Sequence, residues 1–219
     1  VNAALGGRLT LGIGVSHKVT TEDMYGYRFD RPARHMDEYL SVLLPLMRGE
    51  RADFDGETVT AHLALEAPGT GASVLLAAMA PRMLRMAGER ADGTVLWMTG
   101  PKTVAEHIVP TITAAAEAAG RPAPRVVCGL PICVTDDPET VRARADRVFA
   151  GYGELPSYRA MLDREGAKGP GDVAIVGDEK AVSAALENLA AAGVTDFAAS
   201  VFARGEEAAR TRALLKSLL

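Results

Sequence analysis

From Arg8 to Val15 the chain alternates strictly: Leu9, Leu11, Ile13 and Val15 fall on one face, and Thr10, Gly12, Gly14 and Ser16 on the other. This two-residue period predicts a strand with one apolar and one nearly bare face. A helical period follows from Arg34 to Met47, where Met36, Tyr39, Leu40, Leu43, Leu44 and Met47 form one stripe and Pro45 is expected to kink the last turn. Phe54-Asp55-Gly56-Glu57, inside Arg51 to His62, carries a hairpin signal. The run Val74 to Met79, a helix opened by Pro81, a turn at Gly93 and a second run from Thr94 to Met98 together predict a compact βαβ unit. A helix from Pro101 to Ala119 should bend at Pro110. Beyond it lie a strand from Arg125 to Val134 interrupted by Pro131, a helix begun by Asp137-Pro138, and a helical insertion with a Gly/Pro turn over Tyr152 to Gly171. A helix from Glu179 to Ala192, a strand from Asp196 to Val201 and a helix from Gly205 to Leu219, with Glu206 spaced to pair with Arg210, complete the pattern.

Strands that alternate with helices predict an α/β class with a parallel sheet. Five strands are followed by helices: Leu9 to Val15, Val74 to Met79, Thr94 to Met98, Val126 to Val134 and Asp196 to Val201. A closed (β/α)₈ barrel needs eight. Five alone would leave two sheet edges unpaired. The first residue is Val1, and Asn2 to Gly7 reads as the last turn of a helix, so further residues are expected upstream. No linker or low-complexity tract divides the 219 residues, which are read as one domain.

Charge and composition narrow the function classes. A formal net charge of −4, with no basic stripe to offset it, argues against a nucleic-acid binder. Cys128 and Cys133 lie five residues apart on one strand and point to opposite faces, which reads as two buried thiols in a reducing compartment. No apolar run has membrane-spanning length and no leader pattern is seen, so the cytoplasm is the expected location. His35, His62 and His107 are scattered without metal-ligand spacing.

The candidate chemistry sits at strand ends. Asp137 and Asp178 are acidic caps, whereas the helices after Ala80 and Gly100 start without one. The start at Ala80-Pro81-Arg82 combines open N–H donors, a positive dipole end and an arginine, which fits either an anion site or a hydrated surface turn. Thr99-Gly100-Pro101-Lys102 repeats that logic as a second anion candidate or a solvated lysine. The bare face of the first strand leaves room for a ligand near the backbone, or else tapers a packed interior. Ser16 and His17 follow at its C-terminal end, where α/β folds place their chemistry, although a loop histidine also serves as an ordinary surface residue. The aromatic loop from Val19 to Pro32 is long enough to cover a site.

Gly6 to Gly14, Arg31-Pro32, Glu38-Tyr39-Leu40, Pro81 to Leu84, Ala87-Gly88-Glu89, Ala91-Asp92-Gly93 and Ala192 to Phe197, in this order, resemble the luciferase-like monooxygenase family, in particular its branch that uses coenzyme F420. The resemblance implies a (β/α)₈ TIM-type barrel of which strands 4 to 8 are present, with Leu9 to Val15 as the fourth. It implies an oxidoreductase that exchanges a hydride between F420 and a small organic substrate. FMN with oxygen, or a flavin-binding protein without catalysis, are the alternatives. It puts the cofactor phosphate on Met79, Ala80, Pro81 and Arg82, and its ring near Ser16, His17, Trp97 and Thr99; Trp97 is otherwise a core filler, and His17 is the candidate proton donor. Where the family often has glycine, this chain has Ala80. The expected partners are the organic substrate and a second copy in a homodimer, with neither nucleic acid nor membrane.

Overall fold

A computed structural model describes residues 1–66, 69 and 71–219. The chain divides into two compact units, Val1–Thr94 with Ala114–Pro124, and Val95–Thr113 with Arg125–Leu219.

In the first unit, strand β1 (Thr10–Ile13) is shorter than its alternating pattern, yet the alternation governs burial as expected. From Leu9 to Ser16 every apolar residue is half-buried and every intervening one exposed. A π-helical turn (Val19–Met24) opens the long loop that follows. Helix α1 (Pro32–Arg48) runs through Pro45 and ends on Gly49 in the left-handed conformation, φ 79°. Its stripe is narrower than predicted. Met36 and Leu40 are buried, whereas Tyr39 is 42% exposed and Leu43, Leu44 and Met47 are half-covered. Strands β2 (Ala52–Asp55) and β3 (Thr60–Leu63) form the predicted antiparallel hairpin.

Strand β4 (Ser73–Leu76) pairs in parallel with β1, and Ala77 N–H extends the ladder to Ile13 O at 2.7 Å. A Cβ on Gly14 would lie 2.8 Å from the Ala77 Cβ. The bare position at Gly14 therefore lets two chains approach, which is a packing reason for that glycine. Helix α2 (Pro81–Arg90) buries Leu84, Met86, Ala87 and Gly88. Its last residue, Arg90, reaches α1, where it donates to Asp37 O at 2.8 Å and Ser41 Oγ at 3.1 Å and pairs with the Asp37 carboxylate. Strand β5 (Gly93–Trp97) returns parallel to β4 through Leu76 and Thr94. The Thr94 hydroxyl, fully buried, donates to the Leu76 and Ala78 carbonyls. The predicted βαβ unit is thus present. Among the described residues, β1 has β4 as its only strand neighbour.

In the second unit the helix after Gly100 is built in three pieces: α3 (Pro101–Thr103), a π turn (Val104–Ile108) and α4 (Val109–Ala118), whose final residues belong to the first unit. The irregularity falls just ahead of Pro110, which lacks the N–H that a regular ladder would use there. Strand β6 (Arg125–Val134) runs unbroken through Pro131, contrary to the expected interruption. One proline removes one donor, and the residues on either side keep their parallel pairing with β8 (Asp196–Val201). At the base of that pair, Arg125 donates to both Asp196 oxygens, at 2.7 and 3.2 Å.

Helix α5 (Pro138–Val148) is capped by Asp137, which accepts Thr140 N–H at 3.2 Å. The insertion comprises α6 (Ala150–Glu154), α7 (Pro156–Glu165) and a 3₁₀ turn (Pro170–Val173). It ends in an unpredicted strand, β7 (Ile175–Gly177), parallel to the end of β6. Helix α8 (Glu179–Ala191) carries the Asp178 cap, with Ala181 N–H at 2.8 Å, and α9 (Gly205–Ser217) closes the chain. Arg210 does not pair with Glu206. Its guanidinium is held by Asp136 and Glu179 at 3.0 to 3.2 Å, two bidentate partners from other elements, and these raise its pKa. Cys128 and Cys133 are free and buried on opposite faces of β6, and burial pushes the Cys128 thiol up to about 12. No helix among the described residues is long and apolar enough to cross a membrane.

Candidate functional site

The first unit holds a cavity of about 740 Å³ built from four pieces of sequence: the end of β1, the chain that leads into α1, one face of α1 and the hairpin turn. This volume suits a small organic ligand. Residues Ile13 to Ser16 form its floor, and Ser16 turns the chain there with φ 62°, a conformation that non-glycine residues rarely adopt. The loop is fastened by its own side chains. Glu22 accepts Phe29 N–H at 3.1 Å, Lys18 lies 3.6 Å from Glu22, and Tyr27 N–H reaches Thr21 O at 2.9 Å.

The hairpin turn is held against α1 by Glu38, a buried carboxylate that accepts the Thr58 N–H at 2.6 Å, the Thr58 hydroxyl at 2.7 Å and Val59 N–H at 3.1 Å. A Cβ on Gly56 would sit 2.5 Å from that carboxylate, so only glycine leaves space for it. The Thr58 hydroxyl, with the backbone donors around it, lowers the Glu38 pKa from 4.5 to about 2. A carboxyl whose folded pKa is depressed contributes stability that is present above its unfolded pKa and is lost as pH falls through the folded one. Glu38→Gln should therefore melt below the parent at neutral pH, and the gap should narrow from about pH 4.5 towards about pH 2. Thermal melts of both proteins across that window check this; a gap constant with pH would contradict it.

The charges around the cavity are paired. Arg28 lies 3.1 Å from Asp30, and Arg31 and Arg34 converge on Glu57. His35 stands on the first turn of α1 with its ring 6.5 Å from that of Tyr39. In the sequence His35 is one of three histidines without metal-ligand spacing. In the structure it is exposed and lines the same cavity as Glu57 and Thr58 of the hairpin turn, more than twenty residues later.

Of the predicted site residues in this unit, Ser16 lines the cavity, while His17, half-buried, is not among its lining residues. Met79, half-buried, and Ala80, Pro81 and Arg82, all exposed, lie outside that lining at the start of α2. Ala80 is extended, φ −76° and ψ 149°, and supplies no capping bond; its carbonyl takes the first helical bond, from Leu84 N–H at 2.9 Å. Among the described residues no acceptor is found for the N–H groups of Arg82 and Met83. The open helix start is therefore a property of the fold as well as of the sequence.

The corresponding start in the second unit is closed. Glu165, the last residue of α7, accepts Lys102 N–H at 3.2 Å and Thr103 N–H at 2.7 Å. The Lys102 and Thr103 N–H groups do hold an anion, but it is the protein's own carboxylate, contrary to the expected second anion site at Thr99-Gly100-Pro101-Lys102. Gly100 makes this contact possible, since a Cβ there would lie 2.3 Å from the Glu165 carboxyl carbon. Thr99 is fully buried and its hydroxyl turns back to Trp97 O at 3.2 Å. Between them Met98 has φ 53°. The Trp97 ring meets Phe149 and Tyr152 edge-on, at 5.8 and 6.0 Å between centroids, as part of the second unit's core. Its indole N–H is buried without an acceptor among the described residues. Those residues include no group of three His, Cys, Asp or Glu side chains able to hold a metal ion; His62 instead bridges Asp53 and Asp55, which raise its pKa.

Comparison with known proteins places this architecture. The 5,10-methylenetetrahydromethanopterin reductase of Methanolobus tindarius is 28% identical over 170 residues, 76% of this chain and 51% of the relative. The chain thus spans about half the length of the curated relatives it matches. Two solved structures share the fold. The coenzyme F420-dependent tetrahydromethanopterin reductase of Methanopyrus kandleri has a TM-score of 0.77 at 23% identity, covering 95% of this chain and 73% of that one. An F420-dependent secondary alcohol dehydrogenase in complex with an F420-acetone adduct has a TM-score of 0.78 at 17% identity, covering 100% and 72%. The model of the luciferase-like monooxygenase family matches residues 1–203, and the chain belongs to that family.

Proposed function

We propose that the chain is the C-terminal part of an F420-dependent oxidoreductase, with β1, β4, β5, β6 and β8 as the fourth to eighth strands of a TIM-type barrel. The observation that carries this reading is the open start of α2. It offers two N–H donors, a positive helix end and the exposed Arg82, the donor set a phosphodiester needs, and among the described residues the two N–H groups have no acceptor. The solved neighbours whose names carry F420 support the same cofactor.

Bound F420 would supply hydride chemistry. The chain's own residues would do the rest. Arg82 and Met83 N–H would hold the phosphate, with Met79, Ala80 and Pro81 shaping the backbone that presents them. Ser16, strained at the strand end, would lie close to the reacting ring, and His17 would hold or give up a proton beside it. An organic substrate would complete the reaction. FMN is the second reading, because the family is defined by monooxygenases. Titration of the purified protein with F420 and with FMN tests the proposal: F420 should bind at least tenfold more tightly. Tighter FMN binding would select the second reading, and no binding of either would refute both.

A further inference from the structure

We propose that the 740 Å³ cavity of the first unit takes a neutral, planar aromatic molecule as the organic substrate, with His35 as the hydrogen-bond partner of its polar edge. This deepens the oxidoreductase reading and rests on it for the word substrate. Three observations converge. The first is charge. The lining carries Arg28 and Arg31 against Asp30 and Glu57, which sum to zero; Arg28 pairs with Asp30, and Arg31 shares Glu57 with Arg34. An anionic ligand would have to displace Asp30 or Glu57 from these arginines, whereas a neutral one would leave the pairs intact.

The second is shape and surface. Tyr27, 70% exposed, and Tyr39, 42% exposed, both line the cavity and bring two large rings to it. Buried Met36 and half-buried Phe29 supply apolar wall between them. Flat aromatic ligands stack on such rings in offset or edge-on arrangements. The third is the imidazole. The exposed His35 ring, 6.5 Å from that of Tyr39, has no hydrogen-bond partner among the described residues, so its nitrogens are available as both donor and acceptor.

The test uses the full chain and three probes of one shape: 2-naphthol, 2-naphthoate and naphthalene, each titrated by fluorescence with and without F420. The expected result is that 2-naphthol binds at least tenfold more tightly than 2-naphthoate. His35→Phe, which keeps a ring but removes both nitrogens, should weaken 2-naphthol about three- to tenfold, the range of one net hydrogen bond, and leave naphthalene within about twofold. Tyr39→Ala should weaken both neutral probes. Equal or tighter binding of 2-naphthoate, or a His35→Phe protein that still separates 2-naphthol from naphthalene, would overturn the proposal. So would displacement of 2-naphthol by F420, which would assign the cavity to the cofactor ring. The two readings fail separately. F420 binding without naphthol binding removes the substrate class alone, whereas the naphthol pattern with neither F420 nor FMN binding removes the oxidoreductase reading and leaves the cavity's ligand class standing.

Discussion

Ala80→Asp should raise the melting temperature and, at the same time, lower affinity for F420 at least tenfold. The opposite signs follow from one cause. Ala80 already has the extended backbone of a capping residue but no side chain able to accept a bond, and among the described residues the N–H groups of Arg82 and Met83 have no acceptor. An aspartate there would cap α2 as Asp178 caps α8, where it accepts Ala181 N–H at 2.8 Å. Such caps stabilise by about 0.5–2 kcal/mol. The same carboxylate would occupy the donors proposed for the phosphate and repel it, and losing charge-assisted bonds of about 1.5–3 kcal/mol corresponds to roughly a ten- to hundredfold loss of affinity. Differential scanning calorimetry and an F420 titration on one protein sample read both signs. Loss of stability and affinity together would contradict the capping geometry.

Gly100→Ala is expected to cost as much stability as Glu165→Ala, about 1–3 kcal/mol, although it adds only a methyl group. The added Cβ would fall on the Glu165 carboxyl group and expel it from the Lys102 and Thr103 amides, so both substitutions break one contact. The double variant should then be little worse than either single one. Urea unfolding of the four proteins closes the cycle; additive losses would show that Gly100 and Glu165 act independently.

These two helix starts also mark how far the sequence could be read. Period, capping and turn chemistry are local, and where they decide the structure the expectations hold. The alternation from Leu9 to Val15 survives residue by residue as burial, the hairpin forms around Gly56, and Asp137 and Asp178 cap as their positions predicted. What was illegible is set by partners far away in the chain. Nothing near Lys102 announces Glu165, and nothing near Arg210 announces Asp136; local spacing alone points instead to an open anion site and to Glu206. Strand β7 has three residues, too few to show a period. The cavity was half legible. The aromatic loop and Ser16 were singled out, but the wall that completes it depends on Glu38 drawing the hairpin turn onto α1, a contact twenty residues apart in sequence. His35 gained its place only through that fold.

The central claim is that the start of α2 receives the phosphate of a deazaflavin. Calorimetric titration with F420 and with the same deazaflavin lacking the phosphodiester and its tail tests it most directly. The account predicts that F420 binds at least tenfold more tightly and that Ala80→Asp erases the difference. Equal affinities in the parent protein, or a difference that Ala80→Asp leaves untouched, would contradict it.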